Sequence, residues 1–210
     1  LQQAIKGAKL IEIEGGDSFF SHDRAEEVLG YIEEFLTGTR AQTYAERVLA
    51  TVLFVDIAGS TRLAAKIGDS AWRDLAARFH AMVRTQLHRF RGREIDAAGD
   101  GAFATFDSPT QAIRAAAAIR AEALTLGVSV RAGMHTGECE VADGVVRGLA
   151  VHIGARVMGE AERDEILVSN TVKDLVAGSD FEFKDRGKHQ LKGVPGVWRL
   201  HALDRIEAGR

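Results

Sequence analysis

The chain is short of several things, and each shortage narrows what it can be. Of its 210 residues one is cysteine, Cys139. No internal disulfide is therefore possible, which suits a reducing cytoplasm, and a cytoplasmic location is expected. Positive charge is not in excess: 27 Lys and Arg against 30 Asp and Glu leave a net charge of −3. Nucleic-acid binding usually shows as a basic surplus, so no such partner is expected. No apolar run approaches the ~20 residues that span a bilayer, so no membrane contact is expected within this chain, and no signal peptide opens it. The chain begins with Leu1 instead of Met, which leaves room for an anchor or a further domain outside it. What is present, 46% hydrophobic and 27% charged residues, is ordinary for a globular protein. The length allows one domain with a sizeable core plus an appendage.

Two short stretches carry the chemistry. One is Val52-Leu53-Phe54-Val55-Asp56-Ile57-Ala58-Gly59-Ser60-Thr61, the other Glu94-Ile95-Asp96-Ala97-Ala98-Gly99-Asp100-Gly101. The apolar run before Asp56 fits a buried strand. Each stretch puts an aspartate at a strand end, beside glycine. Two carboxylates converging from neighbouring strands can hold two hard divalent cations through oxygen. That arrangement transfers a phosphoryl or nucleotidyl group in line. Gly59-Ser60-Thr61 opens a helix whose free backbone N–H groups can receive a triphosphate. The plainer role for an Asp after a strand is to cap a helix; a pair of them favours the metal–nucleotide reading.

The remaining pattern organises the chain. Lys9 to Ile13 reads as a short strand, and Gly15-Gly16-Asp17 as a turn. Asp23 can cap a helix reaching about Leu36, with Ala25, Val28, Leu29, Ile32, Phe35 and Leu36 as its apolar stripe. A polar linker follows to Glu46. A strand is expected from about Val48 to Asp56, then helical segments from Ser60 to Phe90 interrupted near Gly68. Strands at about 93–97 and 102–106 precede an alanine-rich helix opened by Pro109. Val128 to His135 reads as a strand ended by a turn at Thr136-Gly137-Glu138. A helix over about 149–161 and a strand over 165–168 complete the core. The order β-α-β-β-α-β is the ferredoxin-like arrangement. The expected fold is thus α+β: a ferredoxin-like core with additional C-terminal strands, preceded by a short strand-helix appendage.

Five motifs occur in the order of a class III nucleotidyl cyclase catalytic domain, which the chain resembles over roughly residues 47–204. They are Phe54 to Thr61, Ala98 to Gly101, Arg131-Ala132-Gly133-Met134-His135-Thr136-Gly137, His152-Ile153-Gly154-Ala155-Arg156 and Leu191-Lys192-Gly193-Val194. The resemblance is greatest to actinobacterial adenylyl cyclases, some of which carry an α/β-hydrolase domain before the cyclase. Residues 1–46 resemble the last strand and helix of such a hydrolase, and 205–210 form a tail. A His usually follows the Gly-Gly-Asp turn in that family; here Ser18 stands there. The Gly-x-Ser-x-Gly nucleophile motif is also missing, so hydrolase activity is not expected.

The resemblance implies two Mg²⁺ or Mn²⁺ ions held by Asp56 and Asp100, with the Ile57 carbonyl as a further ligand. It implies phosphate contacts from Arg131 and Lys192, and charge stabilisation at the α-phosphoryl group by Arg156. His152, four residues earlier, shares its helix face and stands where the family often has an Asn that orients the ribose. A surface cation, an Arg156–Glu160 ion pair and an interface histidine are the plainer roles for these residues. Asp96 and Val145 match the purine-reading positions, and here the chain departs from pattern. Ionised Asp96 only accepts hydrogen bonds; it can accept from the adenine amino group but cannot donate to adenine N1, and the N1–H and amino group of guanine are a closer match. Val145 reads nothing by hydrogen bonding. ATP is the expected substrate on family grounds, with GTP or dual specificity, or a weakly active nucleotide-binding regulatory module, as alternatives. The family shares each site between two catalytic domains: Asp56, Asp100 and Arg131 from one, Asp96, Val145, His152, Arg156 and Lys192 from the other. One chain carries both sets, so a head-to-tail homodimer is expected.

Overall fold

The structure, a computed structural model, describes residues 25–38, 46–142 and 145–206. It divides into two compact units, one ending at Tyr44 and one spanning Ala45–Arg210. In the first, the helix α1 (Ala25–Thr37) is described. It ends where Gly38 N–H donates to the Glu34 carbonyl at 2.9 Å. Its apolar stripe is exposed at Leu29, Ile32, Phe35 and Leu36. The strand and turn expected over residues 9–17 lie outside the described residues, as does most of the linker.

The second unit is built on β1 (Glu46–Ile57), α2 (Ser60–Ile67), α3 (Asp69–Arg89), β2 (Arg93–Ala98), β3 (Gly101–Phe106), α4 (Pro109–Thr125) and β4 (Val130–Ala142). These pair antiparallel in the order β2-β3-β1-β4. That is the expected ferredoxin-like core. The continuous apolar run of β1 is explained by its central place: one face lies under α3 and α4, and the other is covered in part by α5. Leu53, Val55 and Ile57 point to the core under α3 and α4. Ala50 and Val52 face the other way, toward Ala150. Phe79, Met82, Val83, Gln86 and Leu87 bury one stripe of α3. On α4 the buried set is Ala112, Ile113, Ala115, Ala116, Ile119 and Ala123; so many small side chains let this helix lie close to its neighbours.

The sheet then extends through β5 (Val145–Arg147), α5 (Leu149–Gly159), β6 (Ile166–Ser169), α6 (Asn170–Leu175), β7 (Phe181–His189) and β8 (Trp198–Ile206). β6 joins β4 in parallel, and β8 and β7 follow outward, while β5 forms a hairpin with β4. On α5, Ala150, Ile153, Gly154 and Val157 are buried. The helix comes so near β4 that a Cβ on Gly133 would lie 2.0 Å from the Met158 nitrogen. Only glycine permits that approach.

The turn expected at Thr136-Gly137-Glu138 is not there. β4 runs straight through, with Thr136, Gly137 and Glu138 paired to Thr51, Ala50 and Leu49. Gly137 makes room instead of a bend: a Cβ there would sit 3.0 Å from the Ala150 Cβ and 3.1 Å from His135 Nε2.

His135, beside it, is 5% exposed. Its Nδ1 lies 2.8 Å from Ser169 Oγ, and its ring meets Trp198 edge-on. Burial lowers its pKa from 6.5 to about 4, because the surroundings disfavour the imidazolium. The unfolded chain takes up this proton near pH 6.5 and the folded chain only near pH 4. Stability from neutral His135 is therefore complete above pH 6.5 and is lost as pH falls toward 4. At full expression the shift corresponds to roughly 3 kcal/mol. Thermal melts at about pH 7 and about pH 4.5 should show this loss, and His135→Gln should show a smaller pH difference. Equal pH differences in the two proteins would remove His135 as the cause.

Candidate active site

The end of β1 carries the first group of residues. Asp56 is paired with Gly101 of β3 on one side and Arg131 of β4 on the other. Ile57 N–H donates to the Asp100 carbonyl at 3.0 Å, which pins the β2–β3 turn, and with it Asp100, beside the strand end. On leaving the sheet, Ala58 N–H donates to the Ser129 carbonyl at 2.9 Å. Gly59 then takes a left-handed conformation, φ 75°, and turns the chain into α2. This backbone favours glycine because it lacks a Cβ. No side chain caps α2 and no acidic residue stands in its first turn. The amides around Ser60 and Thr61 thus lack helical partners and form a place for an anion.

Arg131 and Asp56 bind each other. Nε and one terminal nitrogen of Arg131 donate to the two oxygens of Asp56 at 2.7 and 2.8 Å. The Asp56 side chain is 14% exposed and that of Arg131 37%. The hydrogen bond to Asp56 raises the Arg131 pKa above its usual range; burial opposes the rise, and the charges of Asp56 and Asp100 add to it. Asp100 therefore lies within electrostatic reach of the same guanidinium.

The donors here suit a hard cation. Asp56, Asp100 and the Ile57 carbonyl offer oxygen alone, the ligand type for Mg²⁺ or Mn²⁺. Among the described residues no three His, Cys, Asp or Glu side chains gather into a metal-holding group.

A second group sits on α5 and the loop before β8. Arg156 donates from Nε to the Lys192 carbonyl at 2.9 Å. This bond orients the guanidinium, and its terminal nitrogens make no hydrogen bond or ion pair among the described residues. Arg156, Lys192 and His152 are exposed. The Arg156–Glu160 pair weighed from sequence does not form; Glu160 meets His189 Nδ1 at 3.0 Å instead. Asp96 is exposed on β2, at an irregularity in its pairing with β3. Such a bulge re-aims side chains. Val145, 43% exposed, opens β5. Among the described residues no hydrogen bond or ion pair joins Asp96 or Val145 to either group. No hydrogen bond or ion pair among the described residues links the Asp56–Arg131 group to the Arg156–Lys192 group.

Two contacts were not foreseen from sequence. The Asp56–Arg131 bond depends on the β1–β4 register, which the local pattern does not encode. His80 of α3 lies with Nε2 3.2 Å from the Gly99 carbonyl, next to Asp100. Nothing in its spacing marks it.

This fold, a ferredoxin-like core lengthened by β6, β8 and β7, is that of class III nucleotidyl cyclase catalytic domains. The chain matches the family described as "Adenylate and Guanylate cyclase catalytic domain" over residues 41–204, and it belongs to that family. The adenylyl cyclase CyaB from P. aeruginosa is similar with a TM-score of 0.71 at 22% identity, covering 79% of this chain and 97% of that one. The guanylate cyclase domain of RhGC from Catenaria anguillulae, in complex with GTP, gives 0.70 at 16% identity, covering 79% and 100%. These likenesses concern fold, and they include both purine classes. Among curated proteins, the uncharacterized protein Rv2212 of Mycobacterium tuberculosis is 27% identical over 163 residues, 73% of this chain and 43% of that protein. The chain thus spans less than half the length of that relative. No helix among the described residues is long and apolar enough to cross a membrane.

Proposed function

We propose that residues 47–204 form an adenylyl cyclase domain that converts ATP to 3′,5′-cyclic AMP and pyrophosphate at a homodimer interface. Residues 1–46 are an appendage and 205–210 a tail. The observation that carries the reading is the placement of Asp56 and Asp100 around the Ile57–Asp100 hydrogen bond, beside the uncapped start of α2.

In this reading Asp56 and Asp100 hold two Mg²⁺ or Mn²⁺ ions, with the Ile57 carbonyl assisting. Bound dications would offset the triphosphate's charge and favour the 3′-hydroxyl as an alkoxide. The amides at Gly59, Ser60 and Thr61 receive phosphate oxygens, and Arg131 and Lys192 clamp the chain of phosphates. The 3′-oxygen attacks the α-phosphorus, the ring closes, and the bond to pyrophosphate breaks. Arg156, anchored at Nε, offers its terminal nitrogens to the charge that grows on the α-phosphoryl group. His152 holds the ribose. Side chains do little covalent work, and positioning dominates.

The dimer is supported by the lack, among the described residues, of any hydrogen bond or ion pair between the two residue groups. It is also supported by partly buried apolar residues on the α5 face of the sheet. Phe54 and Phe103 stack there with centroids 4.5 Å apart, near Ile95 and Val151. A second chain would cover them.

Asp96 favours a second reading, a guanylyl or dual-specificity cyclase, because an exposed carboxylate accepts well from guanine. Product assays with ATP and GTP, each with Mg²⁺ and with Mn²⁺, decide between them. Cyclic AMP as the main product is expected; cyclic GTP-derived product in excess overturns the purine assignment, and no product from either ends the enzymatic reading. The same assay tests Asp96 itself. Asp96→Lys should raise the ratio of kcat/KM for ATP over GTP by roughly ten- to a hundredfold, since lysine donates to adenine N1 and opposes guanine N1–H. An unchanged ratio would mean that Asp96 does not face the base.

A further inference from the structure

We propose that Arg131 is a latch: it holds the metal-binding carboxylate of Asp56 closed in the free chain and releases it to the dications when a triphosphate arrives to take the guanidinium. The inference rests on the cyclase reading above and adds to it a coupling between metal and nucleotide.

The two-pronged bond is the starting point. Arg131 occupies both oxygens of Asp56, at 2.7 and 2.8 Å. A carboxylate offers about four lone-pair sites, so half of its capacity is spent, and a cation stands beside the other half. The backbone cannot relieve this. Asp56 and Arg131 are facing residues of a continuous ladder, and β1 is also held by β3. The adjustment must therefore occur in the side chains. Arg131, 37% exposed, has room to swing; Asp56, 14% exposed, has much less.

The destination follows from charge and shape. Once Asp56 turns to a dication, Arg131 loses the one side chain it is hydrogen-bonded to among the described residues. Asp100, the other carboxylate that acts on it, is committed to the same ions. The triphosphate of the substrate is an anion that can then take the guanidinium. A guanidinium fork matches two phosphate oxygens as well as it matches a carboxylate. In the free chain Arg131 thus competes with metal, and in the loaded chain it reports that a triphosphate is present. Bare Mg²⁺ or Mn²⁺ binds weakly, and the nucleotide increases its affinity both by direct coordination and by drawing the latch away.

Mn²⁺ titrations followed by the paramagnetic resonance of the free ion test this without any turnover. They are run on wild type, Arg131→Lys and Arg131→Gln, each checked for native circular dichroism, with and without the α,β-methylene analogue of ATP. Lysine keeps the charge but cannot span both oxygens. Without nucleotide, both variants should bind Mn²⁺ roughly tenfold more tightly than wild type, the size expected for losing one charge-assisted hydrogen bond. The gain in Mn²⁺ affinity on adding the analogue should shrink by a similar factor. The ¹⁵N-labelled Nε–H signal of Arg131 should shift when metal and analogue bind to wild type. A gain in the Gln variant alone, with Lys like wild type, would show simple charge repulsion and overturn the latch. Equal affinities in all three proteins would overturn it and leave the cyclase reading standing. No Mn²⁺ bound by any of them, even with the analogue, would overturn the cyclase reading and the latch with it.

Discussion

Replacing Asp100 with alanine is expected to abolish cyclic-nucleotide formation while leaving the melting temperature nearly unchanged. The Asp100 contribution to the fold is its backbone carbonyl, which accepts from Ile57 N–H and survives the substitution. Its side chain makes no hydrogen bond among the described residues. Removing it deletes one of two carboxylates proposed to hold the ions, and the loss should exceed roughly a thousandfold, about 4 kcal/mol of barrier. Asp56→Ala is a less clean experiment. It deletes the other carboxylate but also strips Arg131 of both its hydrogen bonds, at a structural cost of about 1–3 kcal/mol. Circular dichroism melts and a product assay on both variants separate chemistry from stability. Near-normal turnover by folded Asp100→Ala would end the two-metal reading.

Mixing experiments should give the second large effect. Asp100→Ala and Arg156→Ala chains should each be inactive alone and regain activity together. A mixed dimer has one site with both lesions and one with neither, because the proposed dimer takes Asp100 from one chain and Arg156 from the other. Random pairing of equal amounts makes about half of the dimers mixed, each with one good site of two, so recovery should approach roughly a quarter of wild type for a closed two-fold dimer. The exposed terminal nitrogens of Arg156, held by one bond to the Lys192 carbonyl, are consistent with a target on another chain. Assays of the two variants apart and after co-expression read the outcome. Failure to recover in a demonstrated mixed dimer would put both residues in one chain's site.

Much of the core was legible because its signals are local. The break at Gly68 and the helix start at Pro109 each coincide with an element boundary in the structure, and the apolar run into Asp56 stops one residue short of the end of β1. Gly137 shows where local reading fails. Glycine beside polar residues reads as a turn, yet here it answers to the nearness of Ala150 on another element. β7 was expected only as part of unspecified C-terminal strands. Its residues are mostly half-buried or exposed and its pairing with β8 is irregular, so it shows no clean alternation. Of the candidate site, the residues could be named from their motifs, but their partners could not. That Arg131 meets Asp56, and that Glu160 meets His189 instead of Arg156, follows from strand register and from chain segments far apart in sequence.

The unbroken course of β4 has a mechanical consequence. At its start stands Arg131, bound to Asp56; at its far end Glu140, Val141 and Ala142 pair with the β5 residues Arg147, Val146 and Val145. Its 13 residues reach roughly 40 Å at the usual rise per residue of an extended strand. In the proposed dimer Arg131 serves one catalytic centre and Val145 the other. A single hydrogen-bonded strand then runs between the two centres like an axle, with Arg131 on it at one end and its partner strand β5 carrying the proposed purine-facing Val145 at the other.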